Sequence, residues 1–342
     1  MTGDARSRAH GRARPALRTL AATVVAFAVV AAPVHAAEAD DARAYPSKPV
    51  HLIVAFPAGT AVDGLARLMG AKVEPILGQS VIVENRPGAG GNIGTAFVAR
   101  AAPDGYTLAM VGASVTINPA LHGAKVVDPV REFTPVIQLT TQPIVLVAHP
   151  SLEASSMSDV IALARRSPGT LAYSTPGIGT PTHIAAELIA IRTGIKWLHV
   201  PYAGAGAVLK DTLSGDVPLS FTLLGGAEPY LRAGQLKAIA VTSQHRVQAL
   251  PGVPTMAESG LPDYEITSWH GIVAPTGTPA SVIERLQHAL DSILRDPDVV
   301  ARLRTLGMEP AGGTSSAFAA RMASEMSRWK SVVDRAGITA DP

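Results

Sequence analysis

The sequence contains no cysteine among its 342 residues, which excludes disulfide bonds and thiolate chemistry. The fold must therefore rest on core packing, which an apolar content of 47% permits. The sequence also lacks a G-x-S-x-G element and any H-x-x-x-H or H-E-x-x-H spacing, so neither a hydrolase elbow nor a zinc site is indicated. The three tryptophans, Trp197, Trp269 and Trp329, are isolated in the sequence, which favours core positions over a base-stacking platform.

An excess of charge of one sign is confined to the N-terminus. Residues 1–36 combine a basic stretch, the apolar run from Leu20 to Ala32 and the small-residue pattern Val34-His35-Ala36, which predicts a secretory signal peptide cleaved after Ala36. The arginines of the basic stretch are Arg6, Arg8, Arg12, Arg14 and Arg18. The apolar run is short for a membrane span of about 20 residues, although an uncleaved anchor is the alternative. Without a cysteine after this run a lipoprotein anchor is excluded, and the lack of an Arg-Arg pair argues against twin-arginine export.

Removal of this segment changes the charge balance. It leaves 342 − 36 = 306 residues, with 29 − 5 = 24 basic and 27 − 1 = 26 acidic side chains, a net charge of −2. Such a balance indicates neither nucleic-acid binding nor attachment to a membrane surface. The remaining length suits two modest domains, and we expect an exported, soluble globular protein.

Strand and helix patterns alternate along the mature chain. Val50–Phe56 is a continuous apolar run typical of a buried parallel strand, and apolar steps of three and four residues from Val62 to Ile76 predict an amphipathic helix. The same alternation recurs to the end of the chain, which predicts an α/β protein with two mostly parallel sheets flanked by helices. Because no low-complexity linker separates the halves, continuous segments are expected to cross between a domain of residues 45–142 plus 267–342 and a domain of residues 143–266.

A first Gly-containing turn follows the first strand, at Phe56–Asp63. Gly59 allows a sharp turn, and the helix start that follows offers free N–H groups and partial positive charge to a carboxylate. An alternative is purely structural, because Thr60 and Asp63 have the spacing of a capping box.

A second Gly-rich turn, Asn85–Gly94, has the spacing G-x-G-G-x-x-G. This spacing differs from the dinucleotide fingerprint, and the turn follows the second strand rather than the first. A structural turn that packs against the site is the preferred interpretation, and no cofactor is expected.

A third turn, Ser174–His183, is rich in hydroxyl groups and again joins a strand to a helix. Thr180 followed by Pro181 is typical of a helix start. The functional interpretation is a second carboxylate cradle, with His183 in contact with ligand, although a lone histidine there also fits a capping role.

These motifs together resemble the substrate-binding receptors of tripartite tricarboxylate transporters, the Bug family. The resemblance covers essentially the whole mature chain. It is carried by segments that include Tyr45–Val50, Phe56–Asp63, Leu77–Gln79, Val83–Gly91 (VENRPGAGG), Pro103–Leu108 (PDGYTL), His199–Tyr202, Ala240–Thr242, Leu250–Thr255 and Ala274–Pro279.

The resemblance implies a periplasmic receptor with the two-domain, type II Venus-flytrap fold and no catalytic or metal site. Its ligand would be a small organic carboxylate, delivered by a monomeric receptor to membrane permease subunits in a transient contact. The site residues that the resemblance implies are Phe56, Pro57, Ala58, Gly59, Thr60 and Asp63 on one side, Ser174, Thr175, Gly179, Thr180 and His183 on the other, and Ser114 as a third contact.

The sequence departs from the family pattern near this site. In the first turn, Thr60 replaces a second glycine, Ala61-Val62 lack the hydroxyl group that the family has there, and Ala55 stands where proline is common. Ala203 stands where a lysine or arginine usually follows the Val-Pro-Tyr segment. Val62 and Ala203 suggest a less charged or more aromatic acid. Two other functions are considered: a secreted hydrolase of organic acids that uses Ser114 or His183, and a receptor that reports its ligand to a signalling partner.

Overall fold

A computed structural model describes residues 45–339, and the predicted signal peptide lies outside them. The strands are β1 (Val50–Val54), β2 (Val81–Asn85), β3 (Thr107–Gly112), β4 (Phe133–Ala148), β5 (Ala172–Thr175), β6 (Leu198–Pro201), β7 (Leu219–Leu223), β8 (Lys237–Val241), β9 (Thr267–Pro275) and β10 (Glu309–Pro310). The helices are α1 (Ala61–Leu77), α2 (Asn92–Ala99), α3 (Ser114–His122), α4 (Pro129–Glu132), α5 (Met157–Arg166), α6 (Pro181–Thr193), α7 (Ala205–Ser214), α8 (Leu224–Arg232), α9 (Ala280–Ile293), α10 (Pro297–Thr305) and α11 (Ser315–Ala336). No helix in this range is long and apolar enough to cross a membrane.

The strands follow the order β2-β1-β3-β9-β4-β7-β5-β6, and β8 and β10 also pair with β4. β1 is parallel to β2 and β3, and β5 is parallel to β6 and β7. β4 and β9 run antiparallel to each other and join the two parallel groups. The predicted α/β class with two parallel groups is therefore confirmed, and the turns that follow β1, β3 and β5 lie at carboxyl ends of parallel strands, where such sheets bind ligands.

The helix ends follow the sequence signals. Thr60 caps α1 by accepting a hydrogen bond from Asp63 N, and Gly78 ends that helix in the left-handed conformation at φ 74°. Thr180 caps α6 in the same way through His183 N, and Gly194 ends it at φ 69°. The capping threonine determines where each helix begins after the preceding strand, and the glycine determines where it ends.

The strand β4 is longer than its apolar pattern predicts. Pro143–Ala148 reads as a strand from sequence, but the observed strand begins at Phe133. Pro135, Gln138 and Thr140 interrupt the apolar run, and the pairing register with β9 shifts at these places. Because β-bulges absorb such interruptions, β4 continues from one parallel group into the other.

Two clusters of buried apolar side chains define what we call the first and second lobes. In the first lobe, β1, β3, α1 and α9 pack around residues such as Leu52, Leu65 and Leu286. In the second lobe, β5, β7 and α6 pack around residues such as Tyr173, Ile184 and Phe221. We propose that these lobes are the two domains whose boundaries the sequence predicts.

The last helix, α11, contacts both lobes. Phe318 and Met322 pack beside Trp269 and Val111 of the first lobe, whereas Trp329, near the end of α11, packs within the cluster of the second lobe. A continuous helix thus bridges the two strand groups alongside β4 and β9.

Glu325 of α11 connects the strand β9 to the start of α3. Its Oε2 atom accepts hydrogen bonds from Trp269 Nε1 at 2.8 Å and from Thr116 Oγ1 at 3.1 Å. Arg321 donates to Glu325 Oε1 at 2.9 Å and to Thr267 Oγ1 at 2.9 Å. This partly buried network fixes the first turn of α3, which begins at the candidate residue Ser114.

Substitution of Gly271 in β9 is expected to disturb the packing of this strand against α11 and β4. An alanine methyl group at this position would come within 2.6 Å of Phe318 Cε1 and 2.8 Å of Ile137 O. We expect Gly271→Ala to lower the free energy of unfolding by about 2 to 3 kcal/mol, since overpacking of a buried site costs roughly this much. Urea denaturation measures the effect. Gly206→Ala is the matched control, because a methyl group there meets no atom within 4 Å and alanine favours a helix by up to about 1 kcal/mol. Equal stability of the two variants would contradict this account of β9.

Candidate functional site

The first turn, between β1 and α1, is held by the carboxylate of Asp63. This side chain is buried, and it accepts hydrogen bonds from Gly59 N at 3.0 Å, Asn85 Nδ2 at 2.9 Å and Arg67 Nε at 3.1 Å. Thr60 Oγ1 donates to Pro57 O at 2.8 Å and accepts from Asp63 N at 3.3 Å. The turn is therefore a braced loop in which Asp63 has a structural role, as the capping alternative predicted.

The electrostatics of Asp63 agree with this role. Burial acts to raise the pKa of the carboxyl group, but the hydrogen bonds from Arg67, Gly59 and Asn85 more than offset it and lower the pKa below its usual range. Asp63 therefore stays ionised at neutral pH and neutralises Arg67. Because Gly59 N is already bonded to Asp63, the donors left for a ligand are the amides at the start of α1, at Ala61 and Val62, which have no partner within the helix.

The second Gly-rich turn packs against the first, as its structural interpretation predicts. A methyl group at Gly94 would lie 2.8 Å from Arg86 O and 2.9 Å from Ala55 Cα, and one at Gly91 would lie 3.4 Å from Ala55 Cβ. These glycines let the turn approach the residue that precedes Phe56. The turn thus supports the backbone of the candidate site.

Ser114 shares a small cavity with Phe56 and the Gly-rich turn. The cavity is lined by Phe56, Gly90, Gly91, Gly112, Ser114 and Asn118, among others. Asn118 Nδ2 donates to Asn92 Oδ1 at 2.9 Å, which joins α3 to the start of α2. The carboxyl ends of β1 and β3 therefore bring Phe56 and Ser114 to one cavity, and the contact of Ser114 with a ligand stays a prediction.

The third turn, between β5 and α6, has most of its polar groups occupied. Thr180 Oγ1 donates to Gly177 O at 2.7 Å, and Thr175 Oγ1 accepts from Gly177 N at 3.3 Å. Gly179 N donates to His183 Nδ1 at 3.2 Å. Pro181, the first residue of α6, has no N–H, so this helix start offers fewer free donors than α1 does.

The third turn also touches the helix α3. A methyl group at Gly179 would overlap Leu121 Cδ1, and Leu121 lies near the end of α3, the helix that Ser114 begins. Gly179 has a positive φ of 72° and is therefore suited to this close approach. Of the other predicted residues in this turn, Ser174 is fully buried and donates to Leu219 O at 3.3 Å.

A buried cluster of titratable groups supports the third turn from behind. The rings of His183 and His199 stack at a centroid distance of 4.0 Å, and His199 Nε2 lies 2.7 Å from Thr175 Oγ1. Tyr173 donates to Glu187 Oε1 at 2.5 Å, and the same atom lies 3.9 Å from His183 Nε2. Sequence reasoning singled out His183 alone, because His199 comes from a separate strand and only the fold brings the two rings together.

Burial decides the protonation of this cluster. It lowers the pKa of His183 to about 3, with a smaller contribution from His199, and lowers the pKa of His199 to about 4. Burial also raises the pKa of Glu187, against the hydrogen bond from Tyr173. Both imidazoles are therefore neutral at pH 7, and a base with a pKa near 3 is poorly matched to proton abstraction at that pH. His183 instead positions Gly179, and its direct contact with ligand remains a prediction.

Three predicted residues face outward in the first turn. Pro57, Ala58 and Gly59 are exposed, whereas Phe56 and Thr60 are half-buried. Asn85, Asn118 and His199 contribute to the site architecture without having been singled out. The family segments that contain Asn85 and His199 were recognisable in the sequence, but the packing role of each side chain was not. Within residues 45–339, no group of three His, Asp or Glu side chains could hold a metal ion.

Comparisons with known proteins place this geometry in context. Residues 65–338 match the family described as tripartite tricarboxylate transporter family receptor. BugT of Bordetella pertussis is 34% identical over 315 residues, which cover 92% of this chain and 95% of that protein. An R. palustris protein solved with adipate is 35% identical, with a TM-score of 0.75 over 86% of this chain and 99% of the other. MatC from Rhodopseudomonas palustris, solved with malate, is 31% identical, with a TM-score of 0.72 over 84% of this chain and 100% of the other.

Proposed function

Because this chain belongs to the tripartite tricarboxylate transporter receptor family, we propose that it binds a small organic carboxylate between its lobes and delivers it to a membrane permease. The protein is a solute-binding receptor with a periplasmic-binding-protein fold, and its relatives are receptors rather than enzymes. Two of the similar structures contain adipate and malate, which are both small carboxylates.

The start of α1 supports a carboxylate at the first turn. The loop ahead of it is braced by Asp63, and the amides of Ala61 and Val62 are free within the helix. Helix N-termini attract anions through these amides and through the partial charge of the helix. Since Asp63 neutralises Arg67, we propose that affinity comes from amides, hydroxyls and bridging water rather than from an arginine salt bridge.

The departures from the family pattern bear on the choice of acid. Val62 is half-buried and packs beside the first-lobe core, and Ala203 is exposed. The loss of a hydroxyl group at Val62 and of a positive charge at Ala203 favours a less charged or more aromatic acid. Tighter binding of a dicarboxylate than of aromatic acids, measured by calorimetry, would count against this part of the proposal.

The location and partners follow from the same reasoning. We propose export through the signal peptide predicted over residues 1–36, a monomeric receptor in the periplasm, and transient contact with permease subunits. Uptake of a radiolabelled acid should fall when the receptor is deleted and return when it is restored. Normal uptake in the deletion strain, together with a lost transcriptional response to the acid, would favour the sensory function instead.

A thermal-shift screen of residues 37–342 tests the ligand class. A ligand that binds only the folded state should add about 2.7 kcal/mol of stability at 100 times its dissociation constant. We expect a clear rise in Tm with at least one carboxylate and none with its amide analogue. Stabilisation by neutral analogues but by no acid would contradict the proposal.

A further inference from the structure

Two glycines from different parts of the chain lie in direct backbone contact. Gly225 is the second residue of α8, and Gly307 follows α10 with a φ of 68°. A methyl group at Gly225 would overlap Gly307 Cα, and one at Gly307 would lie 2.6 Å from Gly225 Cα. Only residues without a side chain allow these two backbones to approach so closely.

The contact joins the two lobes. Leu224 and Ala227 of α8 pack with Val145 and Val147, in the part of β4 that pairs with β7 of the second lobe. On the other side, Leu303 of α10 packs within the core of the first lobe. The glycine pair is therefore a point at which the backbone of one lobe rests on the backbone of the other.

The turn that contains Gly307 is fixed in place by its surroundings. Gly307 O accepts a hydrogen bond from Gln142 Nε2 at 3.2 Å, and Gln142 belongs to β4, the strand shared by both lobes. Gly307 N donates to Arg304 O at 2.9 Å. The turn is thus held against β4. Because the turn cannot move away by itself, a larger distance between Gly225 and Gly307 requires the lobes to move apart.

The same turn lies against the first turn of α1. Leu306 Cδ2 lies 3.8 Å from the position that a methyl group on Gly64 would occupy, and Gly64 follows Asp63 in the first turn of α1. A cavity of about 770 Å³ lies on another side of the pair, lined by residues of both lobes that include Glu228, Arg232, Arg304 and Glu309. Open space therefore adjoins the glycine contact, and the lobes are not packed tightly all around it.

We propose that Gly225 and Gly307 are positioning residues that set the separation of the two lobes and, through it, the geometry of ligand binding. The second half of this statement rests on the proposed receptor function. Carbon atoms in contact lie about 3.5 to 4.0 Å apart, so a methyl group at Gly225 must move the lobes apart by about 1 Å at the pair. Hydrogen bonds lose strength beyond about 3.2 Å, so a ligand held from both lobes would lose contacts on one side.

Gly225→Ala is the test, with Gly226→Ala as the matched control. Both replace neighbouring glycines in the first turn of α8, but a methyl group at Gly226 would lie 3.6 Å from Leu209 Cδ1, an ordinary contact. The chain has no cysteine, so spin labels can be placed uniquely at Ala71→Cys on α1 and Lys210→Cys on α7, both exposed positions. Pulsed electron resonance then gives the distance between the lobes without ligand.

We expect Gly225→Ala to shift the label distance and Gly226→Ala to leave it unchanged. Titration with adipate, or with malate where adipate does not bind, should show affinity lowered at least about tenfold by Gly225→Ala and changed less than about twofold by Gly226→Ala. Circular dichroism verifies the fold of each variant. A second variant, Gln142→Leu, removes the donor to Gly307 O and should broaden the label distances.

The readouts separate this inference from the receptor proposal. Unchanged label distances in both Gly225→Ala and Gln142→Leu would overturn the positioning role, whatever the ligand result. An equal shift in Gly226→Ala would also overturn it. A shifted label distance in Gly225→Ala with unchanged affinity for an acid that the unsubstituted protein binds would sustain the role of the glycines in lobe separation and overturn their effect on ligand geometry, whereas a shifted distance with no acid bound by either protein would count against the receptor proposal alone.

Discussion

Acidification from about pH 6.5 to about pH 4.5 is expected to lower the free energy of unfolding steeply, by about 2 kcal/mol per pH unit. Burial lowers the pKa of His183 to about 3 and the pKa of His199 to about 4. It also lowers to about 4 the pKa of His270, a third buried histidine, which lies in β9. In the unfolded chain these groups return to pKa values near 6.5. The unfolded state therefore binds more protons throughout this window, and stability falls as the pH falls.

Two features reduce the expected loss of stability on acidification. His199 is only half-buried and contributes less than the other two histidines. The raised pKa of Glu187 works in the opposite direction, because the folded state keeps a proton that the unfolded state releases above about pH 4.5. With both effects included, we expect a loss of about 2 kcal/mol per pH unit.

Urea denaturation at a series of pH values measures the slope, and two variants identify its source. His199→Gln should make the slope shallower, because it removes one group that gains a proton on unfolding. His288→Gln is the matched comparison, since it replaces a histidine that is exposed on α9, and an equal change of slope in the two variants would contradict the role of burial at His199. A flat stability curve from pH 6.5 to about pH 4.5 would contradict the neutral, buried state of the histidine cluster.

Asp63→Asn is expected to weaken both the fold and ligand binding. An amide cannot accept hydrogen bonds at both ends, so its NH₂ group would face Gly59 N, Asn85 Nδ2 or the guanidinium of Arg67. Hydrogen bonds to charged groups contribute about 1.5 to 3 kcal/mol each, and we expect a loss of about 2 to 3 kcal/mol in the free energy of unfolding. Because the first turn then loses its brace, ligand affinity should fall about tenfold or more.

The matched control for this variant is Asp159→Asn in α5. Asp159 occupies the same position relative to its helix start as Asp63 does in α1, and it accepts from Ser155 N and Ser156 N, each at 3.0 Å. It lies in the second lobe, away from the turns of the candidate site. Asp159→Asn should therefore lower stability without changing affinity, and an equal loss of affinity in both variants would show that Asp63 acts through general stability alone.

Much of the fold could be predicted from local sequence patterns, because the ends of several helices are determined by residues adjacent in the sequence. The ends of α1 and α6 follow from Thr60 with Gly78 and from Thr180 with Gly194, whose capping and left-handed conformations depend on neighbouring residues only. Helix α3 was missed: Pro119 lies within it, and its packing against α11 and the second lobe supplies what its own sequence lacks. The length of β4 was missed for a related reason, since bulges depend on the partner strand.

In the candidate site, too, some features could be expected from the sequence and others depend on tertiary contacts. Phe56 and Ser114 meet because the carboxyl ends of the parallel strands β1 and β3 share one edge, but in the sequence only the family resemblance linked Ser114 to the first turn. The pairing of His183 with His199, and the contact of Gly225 with Gly307, join residues 16 or more positions apart and depend on tertiary packing. Periodicity in one sequence carries no information about such contacts.

Titration calorimetry on residues 37–342 tests the central claim most directly, with the acid that gives the largest thermal shift and the amide of the same acid. The receptor account predicts saturable binding of the acid at a single site and binding of the amide weakened at least about 100-fold, which corresponds to about 2.7 kcal/mol. Equal binding of the acid and its amide would contradict recognition of a carboxylate at the start of α1.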